Sequence, residues 1–430
     1  MPDCARKKIL ITNAIALNGG DAAILQATVG ILKRHFGDDL EVTVHDMAAA
    51  ASAHYYPSLA FHPDVHSELL GWTRGRFPLS VAAFLTLAAA KARNLPVVGA
   101  LLRRLLPGSL QKCLSDYAEA DLIISSGGTY LVPHYSIRSK LLDFLVAEAT
   151  GRPLILFTQS LGPFPPGRWR PLLRHALRHA LLVLVRDGRS RRHLRELGIP
   201  EAHIGRCADA AFALAPKDLK GKRFSPDHLA PRIAISVRDW PHFKSRSGNH
   251  GMESYCAVMA ELVKDLIERR GAHLTFISTC QGAPEYWTDD SRMAEQIVSR
   301  LPERLRRDAR IDHRFRRPNE LIDALSSFDL TIATRLHAAI LSLCAGTPVL
   351  PIAYEFKTSE LFQRFGLGDA VIDIETMSPA TVREAYEAAA TLWGTKADET
   401  WAAVRRERDS AFSAAGYIAR ALKNGQPRID

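Results

Sequence analysis

Seven short apolar runs constrain this chain more than any other feature, because each ends in a polar or glycine-rich turn and each is followed by residues at helical spacing. They are LIISSGG (122–128), PLILFTQSLG (153–162), LLVLVRD (181–187), RIAISVRD (232–239), HLTFIST (273–279), DLTIATR (329–335) and PVLPIAY (348–354). A strand with one face in water alternates apolar and polar residues, whereas continuous Val, Ile and Leu is the pattern of a strand covered on both faces. Strand followed by helix, repeated along the chain, predicts an α/β protein with doubly wound parallel sheets. The N-terminus begins the same way. RKKILITNAIAL reads as a strand and NGGD as a glycine-rich loop; the helix that follows has Leu25, Val29, Leu32 and Phe36 at i, i+4, i+7 and i+11, with Gly37 just past its end.

At 430 residues and 47% hydrophobic content the chain is long enough for two cores. The segment PKDLKGKRFSPDHLAP (216–231) carries Pro, Gly and Lys/Arg with no apolar period, the composition of a linker. Two Rossmann-like domains are therefore expected, 1–215 and 232–430, with the long helical stretch 378–423 packing back on the first.

The formal charge of +10 points to anionic partners: nucleic acid, a membrane surface or phosphorylated small molecules. The cysteines are scattered, with no CxxC and no histidine at ligand spacing, so reduced thiols in the cytoplasm and no metal site are expected. An AIA near the N-terminus mimics a cleavage site, but Asn13 interrupts the apolar stretch, and no run reaches the roughly 18 apolar residues of a membrane span. FPLSVAAFLTLAAA (77–90), flanked by Arg74, Arg76, Lys91 and Arg93, reads either as a core or interdomain helix or as a helix lying on a membrane surface.

Ligands of open parallel sheets bind beyond the strands' carboxyl ends. Those ends carry NGGD (Asn18, Gly20, Asp21), SSGGTY (Gly127, Gly128, Tyr130), QSLGPF, the pair Arg186-Asp187, VRDW (Arg238, Trp240), TRLH (Arg335, Leu336, His337) and AYEFK (Glu355, Lys357). Arg186 and Asp187 alone read as a structural ion pair. These motifs, with VRDGRS, ADAAF, ISVRDW and the long block TRLHAAILSLCAGTPVLPIAYEFKTSELFQRFGL, resemble the polysaccharide pyruvyl transferase family from about residue 18 to residue 368. The resemblance implies a GT-B-like pair of Rossmann-type domains facing across a cleft, phosphoenolpyruvate as donor, and pyruvate placed as a ketal on two hydroxyls of a sugar. It also implies that Arg238, Arg335 and His337 bind the donor. Residues 77–106 carry no motif of the family.

The chemistry agrees. Phosphoenolpyruvate presents a phosphate and a carboxylate on one small frame, which suits two arginine forks, and a helix mouth near Leu336 and His337 adds its dipole. His337 is the expected proton donor. Asp21 is the first choice of base for the acceptor hydroxyl, with Asp187 second, although Asp21 also reads as a helix N-cap. Asn18, Gly20, Gly127 and Gly128 of the N-terminal half are expected around the acceptor, with Tyr130, Trp240 and His242 lining its side, and Lys357 is expected among the substrate-binding residues. No cofactor or metal is expected, phosphoenolpyruvate being a co-substrate. The acceptor is a sugar of a polysaccharide, glycolipid or lipid-linked glycan, which places the protein in the cytoplasm with an option of peripheral contact at the inner face of the membrane. Two other readings stand: a GT-B-like glycosyltransferase with a nucleotide-sugar donor, for which Glu355 is the nearby carboxylate, and a non-enzymatic binder of an anionic polymer. RDGRSRRHLREL (186–197) lacks the aromatic interleaving of a nucleic-acid site, so no nucleic acid is expected.

Overall fold

The computed structural model describes residues 6–75, 77–133, 135–243 and 248–424. They form two compact units, each drawing on separate stretches of chain. The first comprises residues up to Leu17, Ile24–Ala210 and the chain from Ser410 onward; the second comprises Asn18–Ala23 and Ala211–Asp409.

The first unit is built on an eight-stranded sheet of β1 (Lys7–Ala14), β2 (Leu40–Asp46), β3 (Ala60–Pro63), β4 (Leu122–Ser125), β5 (Gly128–Leu131), β6 (Leu154–Leu161), β7 (Leu182–Val185) and β8 (Ile204–Arg206). The order is β3-β2-β1-β4-β6-β7-β8, with β5 pairing β6 off that path, and every pairing is parallel. All eight residues of β6 are buried, the apolar Leu154–Phe157 and also Thr158, Gln159 and Ser160 that follow, as expected of a strand covered on both faces. The second unit has six parallel strands: β9 (Arg232–Ser236), β10 (His273–Phe276), β11 (Ala309–Ile311), β12 (Leu330–Ala333), β13 (Val349–Ala353) and β14 (Ile372–Asp373). Their order, β11-β10-β9-β12-β13-β14, reverses direction between β9 and β12. That reversal is the topological switch point, where a doubly wound sheet opens a crevice at its carboxyl edge.

Two sequence expectations change. The segment 216–231 is no solvated linker. Leu219 and Phe224 are buried, Lys222 Nζ donates to the Ser326 carbonyl at 2.8 Å, and the whole stretch belongs to the second unit. Two apolar anchors among its polar residues are enough to lay it on a core. The N-terminal NGGD loop also changes sides: Asn18–Ala23 belongs to the second unit, not to the N-terminal one. No helix among the described residues is long and apolar enough to cross a membrane.

Candidate active site

In the second unit, four strands deliver their carboxyl ends to one place. β9 runs into Arg238 and Trp240, β10 into Ser278–Cys280, β12 into Arg335 and His337, and β13 into Tyr354, Glu355 and Lys357. Arg335 occupies the N-cap position of the helix Leu336–Cys344 in extended conformation, without capping it through its side chain.

The expectation that Arg335 offers its fork to a donor meets a different arrangement. Its Nε and Nη2 donate to the two oxygens of Asp290 at 2.7 and 2.6 Å. Asp290 accepts a further bond from Ser278 Oγ at 2.6 Å, and Ser278 meets the Ser236 hydroxyl at 2.8 Å. The reason is burial. Desolvation works against the Arg335 charge, but the Asp290 carboxylate outweighs it and holds the guanidinium protonated well above its ordinary range.

Arg238 sits differently. It is half-buried, donates to the Tyr354 hydroxyl, and lies over two aromatic faces, 4.4 Å from the ring centre of Tyr354 and 5.1 Å from that of Trp240. Trp240, expected to present a face to the acceptor, is 5% exposed and packed on Tyr354 at 4.5 Å and His242 at 5.2 Å, so it supports Arg238 from within the core. Lys357 pairs with Glu355 at 2.6 Å.

The glycine loop closes against this group. Gly19 N donates to the Thr279 carbonyl at 2.8 Å. A Cβ on Gly20 would lie 2.5 Å from Nδ1 and 2.9 Å from Cβ of His337, so only glycine lets the loop meet the imidazole. Asn18, not Asp21, caps the helix Gly19–Phe36: its Oδ1 accepts from the backbone of Gly20 at 3.0 Å and of Asp21 at 3.4 Å, while its Nδ2 donates to the Tyr286 hydroxyl at 3.2 Å. Asp21 stands half-buried in the first turn. Burial pushes the Cys280 thiol up to about 12 and the Tyr286 hydroxyl up as well, and the Asp21 charge adds to both shifts. The structure thus brings Asn18, Gly20, Asp21, Arg335, Leu336 and His337 into one cluster, with Arg238, Trp240 and Lys357 around Tyr354 at the neighbouring strand ends. Asp290 and Tyr354 had no part in the sequence-based site; the AYEFK strand end was the one signal that pointed to Tyr354.

Gly127, Gly128, Tyr130 and Asp187 belong to the first unit. A Cβ on Gly127 would meet Thr158 Oγ1 at 2.4 Å, and Gly128 opens β5 at φ +148°, so the first glycine has a packing reason and the second a backbone one. The Tyr130 hydroxyl is held by Ser125 at 2.6 Å and by Gln159 at 2.7 Å. Asp187 does not pair with Arg186. It caps the helix Gly188–Leu197 through the Ser190 amide at 2.7 Å and accepts from Ser160, while Arg186 pairs with Asp209. With the Ser190 hydroxyl as a third donor, both oxygens of this carboxylate serve the framework of the first unit.

Two groups among the described residues have donor atoms within 4.8 Å of one another, His45, His62 and Asp116, and Glu148, His175 and His179, both in the first unit. Burial alone would raise the Asp116 carboxyl, but hydrogen bonds from His45, His62 and Lys112 prevail and hold it down to about 2.

The model of the family "Polysaccharide pyruvyl transferase" matches residues 18–355. The amylovoran biosynthesis protein AmsJ of Erwinia amylovora is 25% identical over 390 residues, covering 87% of this chain and 90% of AmsJ. Among solved structures, Anabaena HepE in complex with UDP-glucose superposes with a TM-score of 0.55 at 14% identity, over 97% of this chain and 98% of its own. The S. aureus MnaA–UDP co-structure gives 0.57 at 12% over 98% and 99%, and UDP-GlcNAc 2-epimerase from Neisseria meningitidis bound to UDP-GlcNAc gives 0.55 at 11% over 97% and 100%. At such identities the likeness establishes the fold alone, the α/β, GT-B-like architecture of paired Rossmann-type units.

Proposed function

This chain belongs to the polysaccharide pyruvyl transferase family, which makes it a transferase of polysaccharide biosynthesis, and from that premise we propose that it moves the pyruvyl group of phosphoenolpyruvate onto a glycan as a ketal. The observation that carries the reading is the placement of Arg238 and His337 at the carboxyl ends of adjacent strands, β9 and β12, at the switch point of the second sheet. A small anion carrying a phosphate and a carboxylate, seated there, meets a guanidinium held by two aromatic rings, an imidazole, and the N-terminus of the helix Leu336–Cys344.

The reaction needs a proton at C3 of the donor, which leaves C2 electrophilic. One sugar hydroxyl attacks C2, phosphate departs, and the second hydroxyl closes the ketal; of the two hydroxyl protons, one balances that taken by C3 and the other leaves with phosphate. His337 is the group that gives the proton, and Asp21, in the same cluster, is the carboxylate that takes the proton of the attacking hydroxyl. Arg335 acts as a positioning residue, because Asp290 already holds two of its donors and fixes the turn that aims His337.

Calorimetry with phosphoenolpyruvate alone tests the donor site without knowledge of the acceptor. Arg238→Ala should weaken binding by about 2 to 4 kcal/mol. His337→Ala should keep most of the affinity and lose phosphate release in the presence of acceptor glycan. Tight binding of a nucleotide sugar with no heat from phosphoenolpyruvate would replace this reading with the glycosyltransferase one.

A further inference from the structure

Among the described residues, most exposed large apolar side chains fall between 70 and 105, against Met47, Tyr135, Leu229 and Trp287 elsewhere. The helix Leu79–Lys91 turns Ala82, Thr86, Ala89 and Ala90 inward and leaves Phe84 69% exposed. The next helix, Pro96–Arg104, is arranged with its apolar stripe outward: Val97 and Leu101, at i and i+4, are 80% and 61% exposed, and Leu105 just past its end continues the stripe at i+8. Its inner side is held close, since a Cβ on Gly99 would lie 2.3 Å from the Ala92 carbonyl oxygen. The stripe is therefore a built outer face of the first unit.

The charge along this segment has one sign. Residues 69–105 contain no Asp or Glu, and they carry Arg74, Arg76, Lys91, Arg93, Arg103 and Arg104. Arg103 and Arg104 end the exposed helix itself and are solvent-facing. An apolar stripe rimmed by cations matches the boundary of an anionic bilayer, where acyl chains take the stripe and lipid phosphates take the arginines. A second copy of the chain would bring two basic rims together, which opposes self-association. Nucleic acid would leave the stripe in water.

We propose that Phe84, Val97, Leu101 and Leu105, with Arg103 and Arg104, form a docking face for the surface of an anionic phospholipid membrane. Flotation of the full chain with phosphatidylglycerol–phosphatidylcholine vesicles and with pure phosphatidylcholine vesicles tests it, alongside sedimentation without lipid. Expected is binding to the anionic vesicles that weakens as salt rises, about tenfold less binding for Val97→Ser/Leu101→Ser, and loss at moderate salt for Arg103→Glu/Arg104→Glu, with melting temperatures unchanged because these side chains are exposed. Absence of wild-type flotation at low salt overturns the proposal. So does equal binding to neutral vesicles, or a dimer that dissociates in Val97→Ser/Leu101→Ser while vesicle binding stays as in wild type.

Discussion

At the scale of single residues, Gly20 and His337 form a closely fitted pair in the second unit. Because an added methyl would meet the imidazole at its base and not only at its tip, Gly20→Ala must displace His337 itself. Turnover is expected to fall tenfold or more, with a stability loss of about 1 to 3 kcal/mol; a variant with wild-type phosphate release would mean that the position of His337 is immaterial to the chemistry. Asp143 offers a test that has nothing to do with substrate. It accepts a hydrogen bond from the Tyr117 hydroxyl at 2.8 Å, and burial, with the charge of Asp64 adding, pushes its carboxyl from 3.8 up to about 7. A carboxyl whose folded value lies above its unfolded one favours the fold fully below about pH 4, and that stability is lost progressively as pH rises toward 7, by roughly 4 kcal/mol for a shift of this size. Asp143→Asn keeps an acceptor for Tyr117 and cannot ionise, so its melting temperature should exceed wild type at pH 8 and the advantage should shrink toward pH 4. A gap that does not change with pH would remove Asp143 as the titrating group.

Between elements, the connection from Arg335 through Asp290 and Ser278 to Ser236 joins the carboxyl ends of β12, β10 and β9 and the start of the helix Asp290–Ser299. Removing one partner of a buried pair strands the other's charge, so Arg335→Ala should destabilise the fold by about 3 to 5 kcal/mol before any effect on catalysis is read. Replacing both residues, as Arg335→Met/Asp290→Leu, should restore much of that stability, and the coupling follows from a double-mutant cycle of melting free energies. An Arg335→Ala protein that melts as wild type does would contradict the burial argument. The glycine loop belongs to this scale too: the strand β1 and the turn after it were read from local pattern, but the partners of that turn, Thr279 and Tyr286, lie more than 250 residues away in the sequence.

For the molecule as a whole, neither compact unit is one continuous stretch, since the second takes Asn18–Ala23 and the first takes the chain from Ser410 onward. Cutting at 210/211 therefore leaves each piece incomplete. Separately expressed 1–210 and 211–430 should give broad, low-temperature melts by circular dichroism, and co-expression should restore the sharp transition; a 211–430 fragment that melts like the full chain would show that Asn18–Ala23 contributes nothing to the second unit. By itself the sequence determined the α/β class and the seven central runs, because burial on both faces writes a continuous apolar stretch that is visible locally. It also located the strand ends that bear Arg238, Arg335 and His337, and, through its motifs, the family. Beyond its reach were β3, β8, β11 and β14, all at sheet edges, where strands are two to four residues long and one side lacks a partner, and β2, whose buried and exposed positions mix. The partner of Arg335, the cap of the first helix, the pairing of Arg186 with Asp209 and the unit that owns Asn18–Ala23 were decided only by the tertiary structure. Apolar periodicity is set by a residue's neighbours along the chain, whereas the counter-ion of a buried charge and the packing partner of a glycine are set by residues that only folding brings within reach.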